Sequence, residues 1–340
     1  MGSTATLSPS ITTALVTGGG GFVGRAVVGR LLALGVKTRV IGRHRYPQVE
    51  AAGAIGIVGD IADRDALYQA VQGVDVVFHV AALAGIWGSW SDYYRINVQG
   101  TANVIEVCRK AKVPFLVHTS TPSVVFNGAD ICGGDERLPY GRDFLCHYAK
   151  SKAMAESMVL AAAGEDLKTC ALRPHLIWGP GDPHLLPRLL ARGRGKSLRQ
   201  VGDGRNLVDI TYIDNVAEAH ILAAMNLAGP GTANGRAYFI SQGEPVRLWQ
   251  WINELFSRMA IPPVEKRVSL TTAYRLGRML EVVYTVLRLR QEPRMTRFLA
   301  EQLAKSHYFS LAQARSELGY EPLVSTEEGL RRTVQWLNNR

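Results

Sequence analysis

No apolar run in this 340-residue chain approaches the roughly 18 residues that a membrane span requires, so no transmembrane segment is expected. The opening, MGSTATLSPSITTALVTG, carries neither a basic segment nor an apolar core ahead of the first strand, so no secretory leader is expected either. It does fit the loose myristoylation pattern at Gly2 and Thr6, which chance or a cloning remnant explains equally well. Cysteine is scarce. Cys108, Cys132, Cys146 and Cys170 show no CxxC or Cys/His ligand spacing, which argues against a metal centre and for reduced thiols in a cytoplasmic protein. Cys146 lies near Tyr148 in sequence but has no base partner, and reads as packing. The formal charge of +10 is dispersed apart from ARGRGKSLR at 191–199, so a nucleic-acid partner is not expected. Internal repeats and low-complexity segments are missing too.

What is present is alternation. Short β-rich runs at 14–18, 38–42, 54–60, 74–82, 114–120 and 169–174 are separated by segments with helical spacing, such as 22–34 and 98–111. That order predicts an α/β fold, a Rossmann-type doubly wound parallel sheet covered by helices on both faces. Glycines and prolines break the pattern after Pro174. It returns at LVDITYIDNVAEAHILAA (207–224), read as a strand and a helix that Asp214 could cap. Beyond about residue 245 the chain reads as mostly helical. The expected layout is a nucleotide domain over residues 10–175, rejoined by 207–242. Residues 176–206 and 243–340 then form a smaller, mostly helical substrate-binding region.

TGGGGFVG (17–24) sits where the first strand turns into the first helix, with Gly18, Gly21 and Gly24 in G-x-x-G-x-x-G spacing. Such a loop lets a pyrophosphate approach the backbone at a helix N-terminus. A Gly-rich loop alone is weak evidence; the strand before it and the helix after it supply the needed context. At the end of the second strand, VIGRHRYP puts Gly42 where NAD binders place an acid, followed by Arg43 and Arg45. An acid would repel a 2′-phosphate, whereas Arg43 can bind one bidentately, so NADP(H) is the expected cofactor. Asp60, in the GD pair at the third strand's end, is expected beside the adenine.

HYAKSKAMAESMVLAAA (147–163) has strong helix formers and no proline. Positions four apart share a helix face, so Lys152 rather than Lys150 is the partner of Tyr148. A nearby ammonium is expected to lower the phenol pKa from about 10. The pair could then pass a proton to or from a carbonyl oxygen while a nicotinamide handles hydride. HTSTPSVV (118–125) supplies Thr119, Ser120, Thr121 and Ser123 to orient the carbonyl.

TGxxGxxG, the Ser/Thr cluster, YxxxK, NVQGT (97–101) and LRP (172–174) together resemble the extended short-chain dehydrogenases/reductases, in particular the branch of 3β-hydroxysteroid and sterol-4-carboxylate 3-dehydrogenases. Within that branch, GIWGSW, TSTPSV, LIWGPGD, VGDG, VDITYIDN, YFISQGEP, TRFLAEQL and EEGLRR resemble the bacterial 2-alkyl-3-oxoalkanoate reductases of long-chain olefin biosynthesis. The resemblance implies Tyr148 as proton donor, Lys152 as its ribose-binding partner and Thr121 as the catalytic hydroxyl, where relatives often carry serine; Ser120 and Ser123 stay open. It also implies cofactor contacts from Phe22, Val23, Asp60, Ile61, Ala81, Asn97 and Pro174. The implied reaction is NADPH-dependent reduction of a long-chain, apolar 2-alkyl-3-oxo acid. A homodimer, within a multienzyme assembly of the pathway, is the expected state.

Trp87, Trp90, Tyr93, Tyr94 and Trp178 fall in segments expected near the site, where aromatic walls would suit an apolar substrate; for any single one, core packing is an equal reading. Arg188 or Arg205 could hold a substrate carboxylate, although for either one alone a surface salt bridge is the favoured reading. Residues 272–290 are apolar with arginine flanks, which suits a helix over the substrate cleft or a peripheral membrane contact. The first rival is an NAD(P)-dependent 3β-hydroxysteroid or sterol dehydrogenase, which the same apolar pocket would serve; two other classes are a sugar-nucleotide epimerase, which would want a polar pocket, and an NADP-sensing regulator, which would not need the Tyr/Lys pair.

Overall fold

In a computed structural model, residues 11–339 are described; the Gly2/Thr6 pattern falls outside them. Seven strands form one parallel sheet: β1 (Thr13–Thr17), β2 (Lys37–Gly42), β3 (Ile55–Val58), β4 (Val76–His79), β5 (Phe115–Thr119), β6 (Lys168–Pro174) and β7 (Arg236–Ile240). Their spatial order is β3-β2-β1-β4-β5-β6-β7, so the order reverses beside β1, where doubly wound sheets bind dinucleotides. Strand β4, VVFH, is buried at every residue, as expected of a strand covered on both faces.

Each face has its own apolar layer. On one, Val27, Val28 and Leu31 of helix Phe22–Ala33 meet Ala217, Ile221 and Leu227 of helix Ile213–Ala228. On the other, Leu67, Val104 and Val159 come from helices Arg64–Ala70, Gly100–Lys110 and His147–Ala161. A further core is built around Trp178, Tyr212, Trp251 and Phe256, with helix Leu248–Arg258 contributing its apolar stripe.

Several local expectations are corrected. Residues 207–212 do not form one strand of the main sheet. Leu207–Val208 joins a four-stranded sheet and Thr211–Tyr212 pairs with Ile177–Trp178, so in this segment only β7 reaches the main sheet. Asp214 does not cap the helix that follows. It sits in the first turn and pairs with Arg332, because the helix starts one residue earlier, at Ile213. Among the described residues, no helix is long and apolar enough to cross a membrane.

Candidate active site

The glycine loop leaves no room for side chains. Gly18 adopts φ +69°, and a Cβ there would come within 2.8 Å of the Ala81 Cα; a Cβ on Gly24 would overlap the Gly18 carbonyl. The loop backbone therefore packs directly on the start of the next helix and on the turn after β4. That leaves the Gly21, Phe22 and Val23 backbone at the edge of a cleft of about 540 Å³.

Gly18, Gly21, Phe22, Val23, Gly24, Arg43, Asp60, Ile61 and Ala81 line this cleft, as do Thr121, Tyr148, Lys152 and Pro174. The open backbone cradle and exposed Arg43 fit a dinucleotide, with the catalytic-type side chains lining the same space. Gly42 has a further reason to lack a side chain: the Tyr46 ring occupies the space of a Cβ at both Gly20 and Gly42. Arg45 is held by Glu50 (2.5 Å), whereas Arg43 has no ion-pair partner among the described residues. Sequence reasoning missed Tyr46, although two side-chain-free positions facing one tyrosine were its signal. It also missed Asp182, which lines the cleft and accepts from the backbone N–H groups of His184, Leu185 and Leu186. An aspartate just before an apolar helical run was the cue.

Asn97 is placed differently from expectation. It is buried and does not line the cleft. Its side chain accepts from Leu83 N (2.7 Å) and donates to Leu83 O and Ser151 Oγ. It pins the loop after β4 to the Tyr148 helix. A polar chain supports this arrangement from beneath. Ala81 N donates to Thr17 Oγ1, which donates to His79 Nδ1. His79 Nε2 then donates to Thr101 Oγ1, whose single proton goes to Asn97 O (2.6 Å). Burial pushes the His79 pKa down to about 3, so the ring is neutral and this tautomer fits every contact.

Tyr148 and Lys152 lie one turn apart on helix His147–Ala161, and both line the cleft. Lys150 is exposed instead, with its Nζ over the half-buried Trp90 ring, 4.7 Å from the centroid. Lys152 is buried; it donates to Thr119 O (2.6 Å), and its Nζ lies 3.0 Å from His118 Nε2. The expected ammonium effect on the phenol is not what dominates. Burial raises the Tyr148 pKa to about 12 against a lowering hydrogen bond with Thr121, and burial lowers Lys152 to about 7 against Glu156. Tyr148 therefore keeps its proton throughout the physiological range. Of the candidate hydroxyls, Thr121 is the one that lowers the Tyr148 pKa, and both line the cleft; Ser120 Oγ is buried without a partner, and Thr121 Oγ1 donates to Ser123 Oγ.

A second cavity, of about 1390 Å³, shares Leu83 with the cleft and is lined by Cys146 and His147, next to Tyr148. Its apolar wall includes Ile86, Trp87, Phe144, Leu145, Val282 and Val286, and helix Leu270–Val286 forms one side. Trp87 meets the edge of Tyr284 and donates to Leu289 O. Trp90 and Tyr93 flank His147, Tyr93 and Tyr148 are 6.5 Å apart, and Tyr94 is exposed. Trp178 is not at the site. It is fully buried between Tyr212 and Trp251, because its segment turns inward after β6. Arg188 is engaged by Glu292 (2.8 and 3.1 Å), Arg205 is exposed, and neither lines the cleft or the second cavity; Arg278, Arg288 and Arg290 line the latter instead. Cys146 is buried and burial raises its pKa to about 11, consistent with packing.

Residues 15–271 match the 3-beta hydroxysteroid dehydrogenase/isomerase family. The chain is 48% identical to a 2-alkyl-3-oxoalkanoate reductase from Shewanella oneidensis, covering 96% of this chain and 86% of that protein. It is 50% identical to a 2-alkyl-3-oxoalkanoate reductase from Stenotrophomonas maltophilia, covering 94% and 97% respectively. A solved structure of dTDP-glucose 4,6-dehydratase from Streptomyces venezuelae with NAD bound is similar at TM-score 0.76 and 25% identity, covering 96% of this chain and 97% of the other. With its parallel sheet, glycine cradle and YxxxK helix, the chain belongs to the 3-beta hydroxysteroid dehydrogenase/isomerase family, oxidoreductases of the extended short-chain dehydrogenase/reductase type.

Proposed function

We propose that the chain reduces the 3-keto group of long-chain 2-alkyl-3-oxoalkanoic acids to the 3-hydroxy acid, with NADPH as reductant. The observation that carries this reading is the junction of the two cavities. Tyr148 and Thr121 line the cleft, which shares Leu83 with a space of about 1390 Å³ that is lined by Cys146 and His147, is apolar on one wall and carries Arg278, Arg288 and Arg290, none of them ion-paired among the described residues. A long apolar chain ending in a carboxylate matches that combination, and a polar second nucleotide does not. The reductases of the same name in two bacteria, similar over nearly the whole chain, support the choice of substrate.

When bound, the nicotinamide supplies the hydride to the carbonyl carbon. Tyr148 Oη holds the proton that the carbonyl oxygen receives, and its raised pKa keeps that proton in place before reaction. Thr121 Oγ1 orients the same oxygen. Lys152 offers its remaining N–H to the ribose, and the 18–24 loop takes the pyrophosphate at the helix N-terminus. Arg43 takes the 2′-phosphate, and Tyr46 fills the space an acid would need. The exposed apolar residues Met279, Val282, Val286 and Leu287, beside Arg275, Arg278 and Arg288, support a peripheral membrane contact as part of this proposal.

Arg43→Ala is expected to weaken NADPH by about 1.5–3 kcal/mol, the range for a hydrogen bond to a charged group, while leaving NADH nearly unchanged. Fluorescence titration with both cofactors checks this; equal losses would remove Arg43 from the 2′-phosphate. The reaction itself is tested by incubating the enzyme with NADPH and a long 2-alkyl-3-oxo acid and identifying the product by mass spectrometry. A 2-alkyl-3-hydroxy acid is the expected product. A ketone arising only by spontaneous decarboxylation, with NADPH unconsumed, contradicts the proposal.

A further inference from the structure

We propose that His118 is a positioning residue, whose Nε2 accepts a hydrogen bond from Lys152 and thereby holds that lysine as an ammonium beside the cleft. The inference rests on the reading of Lys152 as the cofactor-binding lysine.

Three buried histidines surround the strand ends here, and two are fully engaged. His79 is fixed by Thr17 and Thr101. His220 donates from Nδ1 to Val216 O and accepts at Nε2 from Thr119 Oγ1, which ties down the residue whose carbonyl takes Lys152. His118 differs. Its Nε2 meets Lys152 Nζ at 3.0 Å, and its Nδ1 is buried with no partner. Burial, and after it the nearby charge of Lys152, keep this ring neutral, with its one proton on either Nδ1 or Nε2. A charged Lys152 needs that proton on Nδ1, so that Nε2 is the free acceptor facing Nζ, and this is the arrangement the proposal assigns.

The groups facing Lys152 are few. His118 and Thr119 come from β5 and His79 from β4. Tyr148 and Glu156 come from its own helix, and Glu156 is already paired with Arg173 of β6. Burial works against the ammonium, and Glu156 acts from a distance through a charge already shared. Direct acceptors for the ammonium are then Thr119 O and His118 Nε2. An ammonium has three donors, and two are taken by protein, which leaves one for a ligand in the cleft. Removing the His118 acceptor destabilises the charged form and lowers the lysine pKa further.

The test is the pH dependence of NADPH affinity in the binary complex, read by fluorescence, so that no assumption about substrate enters. In the wild type, affinity falls as pH rises through the Lys152 pKa. His118→Leu is expected to move that inflection to lower pH by about one unit or more. His118→Gln, which places an amide oxygen where Nε2 stood, is expected to restore it, and this variant guards against loss of fold in the leucine variant. An inflection unmoved in both folded variants overturns the role of His118. A wild-type affinity without any inflection overturns the reading of Lys152 and the inference with it. If affinity in the His118→Gln variant keeps the leucine value despite a native thermal melt, hydrogen-bond acceptance is not what His118 contributes.

Discussion

Tyr148→Phe is expected to lower kcat by about 10²–10⁴-fold while leaving NADPH affinity close to wild type. In the proposed reaction the phenol protonates the carbonyl oxygen, and a positioned general acid contributes on that scale. Because the ring stays, its edge contact with Tyr93 and its place in the cleft wall survive. Lys152→Ala is expected to harm both turnover and cofactor affinity, and Lys150→Ala neither, since Lys150 faces Trp90 and not the cleft. Stopped-flow hydride transfer together with equilibrium titration separates the two parameters. A Tyr148→Phe enzyme with wild-type kcat would place the proton donor elsewhere.

Glu156→Ala is expected to cost about 3–5 kcal/mol of folding stability, the range for breaking a buried ion pair from one side. Both side chains are almost wholly inaccessible (4% and 0% exposed), and Arg173 reaches Glu156 through Nε and Nη2 (2.6 Å) while Tyr140 donates to the same carboxylate. The guanidinium also lies over the Phe239 ring, so it has no route to water when its partner is removed. Its Nη1 is already unpartnered. Nearby Glu136 is partly buried and engaged by Phe239 N, which limits its ability to substitute. Denaturant titration of the folded enzyme measures the change. A loss under about 1 kcal/mol would mean that Arg173 finds another partner or water in the variant.

The sheet was readable because its strands are continuous apolar runs between helical segments. Each of the first six expected strands matches an observed one to within about three residues at either end. The two-residue strands at 177–178, 207–208 and 211–212 were not readable, since pairs that short carry no period and are fixed by tertiary contacts. In the cleft, Gly18, Tyr148 and Lys152 were legible from spacing alone. Asn97 was misplaced because motif matching says that a residue recurs near a cofactor, not whether its side chain faces it. Trp178 took the core-packing alternative of its two readings, because an aromatic residue reads the same in a core as in a pocket wall. The pKa pattern was opposite to expectation for a similar reason. The i, i+4 geometry sets proximity, but His118, Thr119 and the depth of burial decide where the charge goes, and these come from distant strands.

The choice between a fatty-acid-derived and a steroid substrate bears most directly on the account, because an apolar cavity could admit either. The deciding measurement is kcat/KM for matched long-chain 2-alkyl-3-hydroxy acid and 3β-hydroxysteroid alcohols, each oxidised with NADP⁺ and with NAD⁺. The account predicts a kcat/KM for the long-chain acid well above that for the steroid, with NADP⁺ preferred. A steroid alcohol turned over with the higher kcat/KM would contradict it.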